Sequence, residues 1–481
     1  MTLLDGPAAA ETLAADLAPL TVERRPTVLA AYARDAFPPA VKATVDGRAP
    51  LGDPLGVVRP RDTADVVAIV DACRNAGIPL VPYGGGSGIC GSAIATEGGL
   101  VLDTKLLNEV MEIDPVSHLI TVGAGILGTE LEWALNAQGF TCGHSPQSVG
   151  SSTVGGWLAH RGAGVFSTRY GKVDDLVQGV QVVLPSGEVL DTVVSPTSAA
   201  GPDLNRLFLG AEGTLGVVTR VTLKIFPLPE ARRHGSWAVA SIADGLEFGR
   251  RMVQGGYRPA VLRLYDPVET SHQFAALGLP EGRCIVLLQA EGDQALVDLA
   301  LAQAESVGES LGAQALGTTV GDAWQKNRFS TEGLVRTLQT AGAVADALEV
   351  VNTYGRLSET YIEMKRALLE TAQTLGAEIE VLGHASHFYD TGANLYMIFH
   401  AQTAHAETEA VYAELVLRAL EACRATGGSI THHHGVGISK SRLMGQEWGP
   451  AGVHLWREIK AAVDPTGFMN PGDKVVHRDL A

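Results

Sequence analysis

The stretch Ile78-Pro79-Leu80-Val81-Pro82-Tyr83-Gly84-Gly85-Gly86-Ser87-Gly88-Ile89-Cys90-Gly91 decides the fold. Ile78 to Val81 reads as a short strand, and it delivers the chain into four glycines within five positions. Gly86 to Gly91 satisfies GxGxxG, so a Rossmann unit is the first reading to test. Such a unit needs a helix of roughly a dozen residues after the glycines, to cross to a parallel strand and aim its N-terminal dipole at a pyrophosphate. The chain instead continues through Ser92-Ala93-Ile94-Ala95-Thr96-Glu97-Gly98-Gly99 into another strand-like run, Gly99 to Asp103. No helix fits there. The loop can still cradle a diphosphate through bare backbone N–H groups, as a nest without a helix behind it. A glycine-rich turn with no ligand is the alternative.

Upstream, Asp62 or Thr63 caps a helix whose Val66, Val67, Ile69, Val70 and Cys73 fall at helical spacing, and Gly77 stops it. Downstream, Leu119 to Val122 reads as a strand, Val177 to Leu190 as a hairpin around Pro185-Ser186-Gly187, and Val217 to Phe226 as the last strand of this half. Pro227-Leu228-Pro229 interrupts both strand and helix pairing and marks a boundary. From about Ala231 to Ala425, strands such as Cys284 to Gln289 and Leu395 to Phe399 alternate with long helical segments, among them the one carrying Val411, Leu415, Ala419 and Cys423. That pattern predicts an α+β lobe. From Gly427 onward come glycine loops, a helix around Leu455 to Val463 and the turn Asp464-Pro465-Thr466-Gly467.

With 481 residues, 46% of them hydrophobic, the chain is long enough for two or three packed units. Acidic residues outnumber basic ones, 53 against 36, which argues against nucleic acid as a partner. The five cysteines form no CxxC pair, so they read as small apolar residues in a reducing compartment. Met1 to Leu20 has neither a basic n-region nor a continuous apolar stretch, and a cytoplasmic protein is expected.

The second chemical signal is Thr431-His432-His433-His434-Gly435. On an extended strand His432 and His434 share a face and His433 opposes them, so at most two meet a substrate. A solvated tract or an opportunistic metal site is the bland reading. No HxxxH or HxxE pattern accompanies the triplet, and no metal is predicted. A histidine titrating near neutrality is suited to acid or base work.

Taken together these segments resemble the vanillyl-alcohol-oxidase and PCMH-type FAD flavoproteins. Pro82-Tyr83-Gly84-Gly85-Gly86-Ser87-Gly88 is similar to their pyrophosphate loop, and Gly210-Ala211-Glu212-Gly213-Thr214-Leu215-Gly216-Val217-Val218-Thr219 to their second flavin signature. The likeness spans about residues 45 to 475. It is strongest to the alkyldihydroxyacetonephosphate synthases, through Gly143-His144-Ser145-Pro146, Ser152-Thr153-Val154-Gly155-Gly156-Trp157, Arg263-Leu264-Tyr265-Asp266 and the segment Ser429 to Gly437. The resemblance implies an α+β, two-lobed fold: a helical arm over 1–45, a PCMH-type FAD-binding domain over 46–228, a cap domain with an antiparallel sheet over 229–426, and a C-terminal segment over 427–481 that returns the triplet to the flavin.

It also implies the site. His144, Gln147, Ser148, Ser152, Thr153, Gly155, Gly156, Arg161 and Ala163 would line the flavin, and Glu212, Gly213, Thr214, Gly216 and Val217 would hold its ribityl or adenine side. Hydroxyls and a peptide amide suit the isoalloxazine carbonyls. Tyr396 falls where the synthases place a catalytic tyrosine, to work with His432, His433 and His434. Arg263 and Arg336 match their arginines and would grip an anionic small molecule, a phosphate or carboxylate, bidentately. No histidine lies between Arg59 and Asn108, so the FAD is expected to be non-covalent.

The implied activity is exchange of acyl for alkyl on dihydroxyacetone phosphate through a flavin N5 adduct; the alternative is an FAD-linked oxidase or dehydrogenase of a 2-hydroxy acid such as D-lactate or glycolate. Two departures bear on the choice. The ending Asn470-Pro471-Gly472 is similar to the 2-hydroxy-acid branch, whereas that branch's Gly-Glu-His-Gly is here His432-His433-His434-Gly435. The targeting extension of organellar synthases is not expected. A homodimer, and peripheral membrane contact for a lipid substrate, are left open.

Overall fold

Asp62 and Gly77 bound the first long helix as their chemistry requires. The Asp62 carboxylate accepts the N–H of Asp65 at 2.8 Å, and Gly77 ends Thr63–Ala76 with φ +65°. The N–H of Ile78 is drawn back to the Cys73 carbonyl in that helix stop, so the strand begins two residues later than the apolar run suggests, at Leu80–Tyr83. The computed structural model describes residue 13, residues 17–330 and residues 332–480, without the side chains of 332–335 and 405. Residues 1–12 and 14–16 of the arm expected at 1–45 lie outside the described residues; the rest of it carries two short helices, Pro26–Tyr32 and Pro38–Val45.

Three sheets carry the α+β architecture. Gly56–Val58, Leu100–Asp103 and Leu80–Tyr83 form a small parallel sheet with Leu100–Asp103 in the middle. An antiparallel sheet of five strands comes next, in the order Val110–Asp114, Leu119–Gly123, Val217–Lys224, Val177–Val183, Val189–Asp191; the last two are the expected hairpin. The run ending at Phe226 is cut: Phe226–Pro227 leaves this sheet and pairs with Phe140–Thr141.

The third sheet has seven antiparallel strands in the order Gln314–Gly317, Ala231–Val239, Cys284–Gly292, Val261–Tyr265, Glu378–Phe388, Gly392–Gln402, Ala343–Thr353. Its alternation is broken only by bulges at Ser236/Trp237 and Ser386/Phe388. Cys284, Val286, Leu288, Leu262, Leu264, Leu395, Met397, Phe399, Leu348 and Val350 enter one large core beneath the helices Ile242–Gln254, Gln294–Ser310, Tyr354–Thr374 and Thr408–Ala425. Ile285, Leu287, Val261 and Tyr265 face the other way. The last helix, Met444–Val463, starts well before Leu455 and is kinked at Gly449-Pro450. Beyond it the chain returns to the parallel sheet: the Phe468 carbonyl accepts the Leu80 N–H at 2.9 Å, and the Asn470 N–H bonds the Leu80 carbonyl at 2.8 Å. Among the described residues no helix is long and apolar enough to cross a membrane.

Candidate active site

Tyr265, His384, Tyr396 and Glu349 stand directly opposite one another on four adjacent strands of the large sheet. Cross-strand partners share a face, so these four side chains form a row on the side away from the helical core. Arg263, two residues before Tyr265, joins them with its guanidinium 5.2 Å from the Tyr265 ring centre. His384 stacks on Tyr396 at 4.3 Å and is held by Glu269, 2.8 Å from its Nδ1. A bulge between Ser386 and Phe388 sets His387 at φ +50° and lays its ring 5.3 Å from that of His432.

The histidine triplet is not a strand. It curls around the buried Glu349 carboxylate, which accepts the N–H groups of His432, of His433 at 3.3 Å and of His434 at 2.9 Å, the Thr431 hydroxyl at 2.8 Å and the Lys440 ammonium at 2.9 Å. A carboxylate with no exposure has to be satisfied internally, and three successive N–H groups reach one acceptor only if the backbone bends. The strand alternation is lost, and all three rings gather: the Nδ1 atoms of His432 and His433 are 2.8 Å apart, and the rings of His433 and His434 4.4 Å. The Lys172 ammonium donates to the His432 carbonyl.

Two tyrosines end this chain of rings. Tyr396 Oη lies 2.7 Å from His433 Nε2, and Tyr389 Oη 2.7 Å from His432 Nε2. Burial pushes His387, His432 and His433 well below the ordinary histidine pKa, and His434 down to about 4 although Glu349 pulls the other way. Burial also raises Tyr396. At neutral pH the cluster is therefore made of neutral rings and phenols. Burial alone would raise Glu349, but the Lys440 charge, His434 and the N–H donors hold it below its usual range; Lys440 is correspondingly raised. Ligand atoms of Glu349, His432 and His433 fall within 4.8 Å of one another, a spacing suited to a cation, but Lys440 already supplies the positive charge at that carboxylate.

The three segments expected to hold the cofactor converge. A Cβ on Gly84 would meet Thr153 Oγ1 at 2.3 Å, one on Gly85 the Ser151 carbonyl at 1.7 Å, and one on Gly213 the Pro82 ring at 3.0 Å. Among the described residues, the backbone N–H groups of Gly85, Gly86, Ser87 and Gly88 have no acceptor within the protein. Both ring nitrogens of His144 are buried without a partner, beside Trp157 at 4.4 Å. A row of free N–H donors and an unsatisfied buried ring fit a diphosphate-bearing cofactor such as FAD.

Several expected residues are engaged otherwise. The Ser152 hydroxyl accepts the Trp157 indole N–H at 2.8 Å, and the Thr153 hydroxyl caps Val154–His160, the helix holding Gly155 and Gly156. Ser148 caps a turn through its carbonyl, Gln147 donates to the Ser330 carbonyl at 3.2 Å, and Ala163 is buried. Arg161 is half-exposed and paired with Asp174 at 2.7 Å. The Glu212 carboxylate turns from its own glycine loop to accept the N–H groups of Val436 at 2.6 Å and Gly437 at 2.9 Å, fastening that loop to the end of the histidine segment. Thr214 closes its own turn on Ala211, and Gly216 and Val217 lead into the central strand of the five-stranded sheet.

Arg336 is exposed on Glu332–Gln339, a helix packed on Pro38–Val45 and on Ala343–Thr353. Arg328, which sequence reasoning missed, donates to Ser145 and lies over Phe166 at 5.1 Å; burial and the charges of Arg232 and Arg263 push it down to about 10. Glu349, Lys440, Lys172, His384, His387 and Tyr389 were missed too. The available signal was a pair of acids, Asp346 and Glu349, inside an otherwise apolar strand, and two histidines in another.

Residues 54–193 match the family described as FAD binding domain, and residues 228–474 the C-terminal domain of FAD linked oxidases. Alkyldihydroxyacetonephosphate synthase of Trypanosoma brucei brucei is 28% identical over 447 residues, 87% of this chain and 73% of the relative. Glycolate oxidase subunit GlcD of Bacillus subtilis (strain 168) is also 28% identical, over 430 residues, 87% of this chain and 88% of the relative. A solved alkyldihydroxyacetonephosphate synthase shares the fold with a TM-score of 0.80 at 23% identity, covering 97% of this chain and 84% of that one.

Proposed function

Since the chain belongs to the family of FAD-linked oxidases and is an FAD-dependent enzyme, we propose that it exchanges the acyl group of an acyl-dihydroxyacetone phosphate for a fatty alcohol. The observation that carries this reading is the 2.7 Å contact of Tyr396 Oη with His433 Nε2, beside Arg263 on the same sheet face. The exchange needs an acid-base group at the reacting carbon and the entering alcohol, together with a cation for the phosphate. Tyr396 supplies the first and Arg263 the second; Arg336 remains a candidate by resemblance. The Gly85–Gly88 loop and the Ser152–Thr153 segment would hold FAD without a covalent link, and the bound flavin would supply the chemistry at the carbon that changes partners. The net reaction consumes acyl ketone phosphate and alcohol and yields alkyl ketone phosphate and fatty acid, with no oxidant.

The GlcD relative favours a second reading, oxidation of a 2-hydroxy acid, in which Arg263 holds the carboxylate and Tyr396 or a histidine takes the hydroxyl proton. A single assay separates them. Palmitoyl-dihydroxyacetone phosphate with hexadecanol should release palmitate anaerobically without net flavin reduction. Rapid bleaching by D-lactate or glycolate, with a 2-oxo acid formed and no palmitate released, overturns the synthase reading.

A further inference from the structure

Three contacts join four side chains into one line: Tyr396 Oη to His433 Nε2 at 2.7 Å, His433 Nδ1 to His432 Nδ1 at 2.8 Å, and His432 Nε2 to Tyr389 Oη at 2.7 Å. Each ring uses both of its nitrogens within the line. A neutral imidazole carries one N–H and one bare nitrogen, so the hydrogen bonds must all run the same way. If Tyr396 donates, His433 donates onward to His432 and His432 to Tyr389; if Tyr389 donates, every bond is reversed. The inner end, Tyr396, lies on the site face of the sheet. The outer end, Tyr389, is partly exposed and precedes exposed Asp390 in the turn leading to Gly392.

We propose that this line is a proton relay, and that Tyr389 is its solvent-side terminus, through which Tyr396 exchanges protons during turnover. The proposal rests on the reading of Tyr396 as the acid-base group. When Tyr396 takes a proton from the substrate at Oη, its own proton passes to His433 Nε2. The Nδ1 proton of His433 then moves to His432 Nδ1, the Nε2 proton of His432 to Tyr389 Oη, and Tyr389 releases its original proton to water. Each side chain gains one proton and loses one, each imidazole gaining at one nitrogen what it gives up at the other; no electron is transferred, and the line ends in the reversed orientation. No imidazolium is needed, which suits a site where burial disfavours the charged ring. Glu349 acts here as a positioning residue: by gathering the N–H groups of residues 432–434 it turns the two Nδ1 atoms toward each other.

The test uses Tyr389→Phe, which removes one oxygen from a partly exposed ring, and His432→Gln, which keeps a polar side chain but cannot hand a proton between two nitrogens. Each is assayed as the FAD-loaded enzyme with whichever turns over, the acyl ketone phosphate and alcohol pair or the 2-hydroxy acid. Both variants should lose roughly tenfold or more in kcat with KM and the flavin spectrum unchanged. The wild-type rate should bow downward against deuterium fraction, the sign of several protons moving, and that curvature should vanish in Tyr389→Phe. The double variant should be no slower than the slower single one, because one broken link stops the line. Wild-type kcat and curvature in Tyr389→Phe, with Tyr396→Phe inactive, overturn the relay and leave the acid-base reading standing. Full activity in Tyr396→Phe overturns that reading and the relay with it.

Discussion

Glu349 Oε1 lies 2.9 Å from Lys440 Nζ, and both side chains are almost wholly withdrawn from solvent. The pair sits at the far end of the row Tyr265–His384–Tyr396–Glu349 and is the anchor on which the histidine loop closes. Removing one partner leaves the other charge buried and unmatched. Glu349→Gln and Lys440→Met should each cost about 3–5 kcal/mol, measured by chemical denaturation, and the joint change less than the sum. Additive losses would mean that the two charges are satisfied separately.

Gly85 has a steric duty that no other residue can meet. A Cβ there would stand 1.7 Å from the Ser151 carbonyl, a backbone atom with nowhere to go. Gly85→Ala should therefore part the glycine loop from the Ser152–Thr153 segment and weaken FAD binding by roughly tenfold or more, with both segments still folded. Flavin fluorescence released on gel filtration measures this, and a variant that stays as yellow as the parent refutes it.

Where local rules decide, the sequence was legible. The Asp62 cap, the Gly77 stop, the hairpin about Pro185-Ser186-Gly187 and the absence of a Rossmann helix after Gly91 all stand in the structure. Contacts between distant segments were hidden. The triplet looked like a strand because nothing near His432 announces that Glu349, more than eighty residues upstream, must be satisfied by three of its N–H groups. The glycine motif around Glu212 says nothing of where its long carboxylate side chain turns; it turns to Val436 and Gly437.

Acid should unfold the protein earlier than its net negative charge suggests. His144, His384, His387, His400, His432, His433 and His434 all lie below the ordinary value of 6.5 because of burial, His144 at about 3 and His434 at about 4. Such a group binds its proton more readily in the unfolded chain. Its contribution is therefore intact above pH 6.5 and is lost as pH falls towards 4, by about 1.4 kcal/mol per pH unit for each uncompensated proton. Asp35 and Asp346, raised by burial to about 6, and Glu132, which burial also raises, act in the opposite sense as pH falls, but they are three against seven. The apparent Tm should drop steeply between pH 6.5 and 4; a flat profile there would show that the histidines are charged in the folded protein.

The last prediction concerns Asn470, whose Asn-Pro-Gly turn is the feature that pulled the substrate assignment towards the 2-hydroxy-acid branch. Its Nδ2 donates to the carbonyl of Ser92, just after the first glycine loop, at 2.9 Å, and to that of Glu212, in the second, at 2.6 Å. Its φ of +40° is one that asparagine tolerates better than most residues. Four residues on, buried Lys474 gives its ammonium to the carbonyls of Gly91, Ser92 and Ile94, and burial lowers it to about 8. The turn thus ties residues 470–474 to both glycine loops, a task independent of which product is formed. Asn470→Ala should lower FAD retention while the identity of the product stays the same. Asn470→Asp should be worse, since it would set a carboxylate against two carbonyl oxygens with no proton between them. Titration of apoenzyme with FAD and product analysis of the reloaded variants test both halves. If reloaded Asn470→Ala forms a different product from the parent, the turn selects substrate, and its resemblance to the 2-hydroxy-acid branch regains its weight.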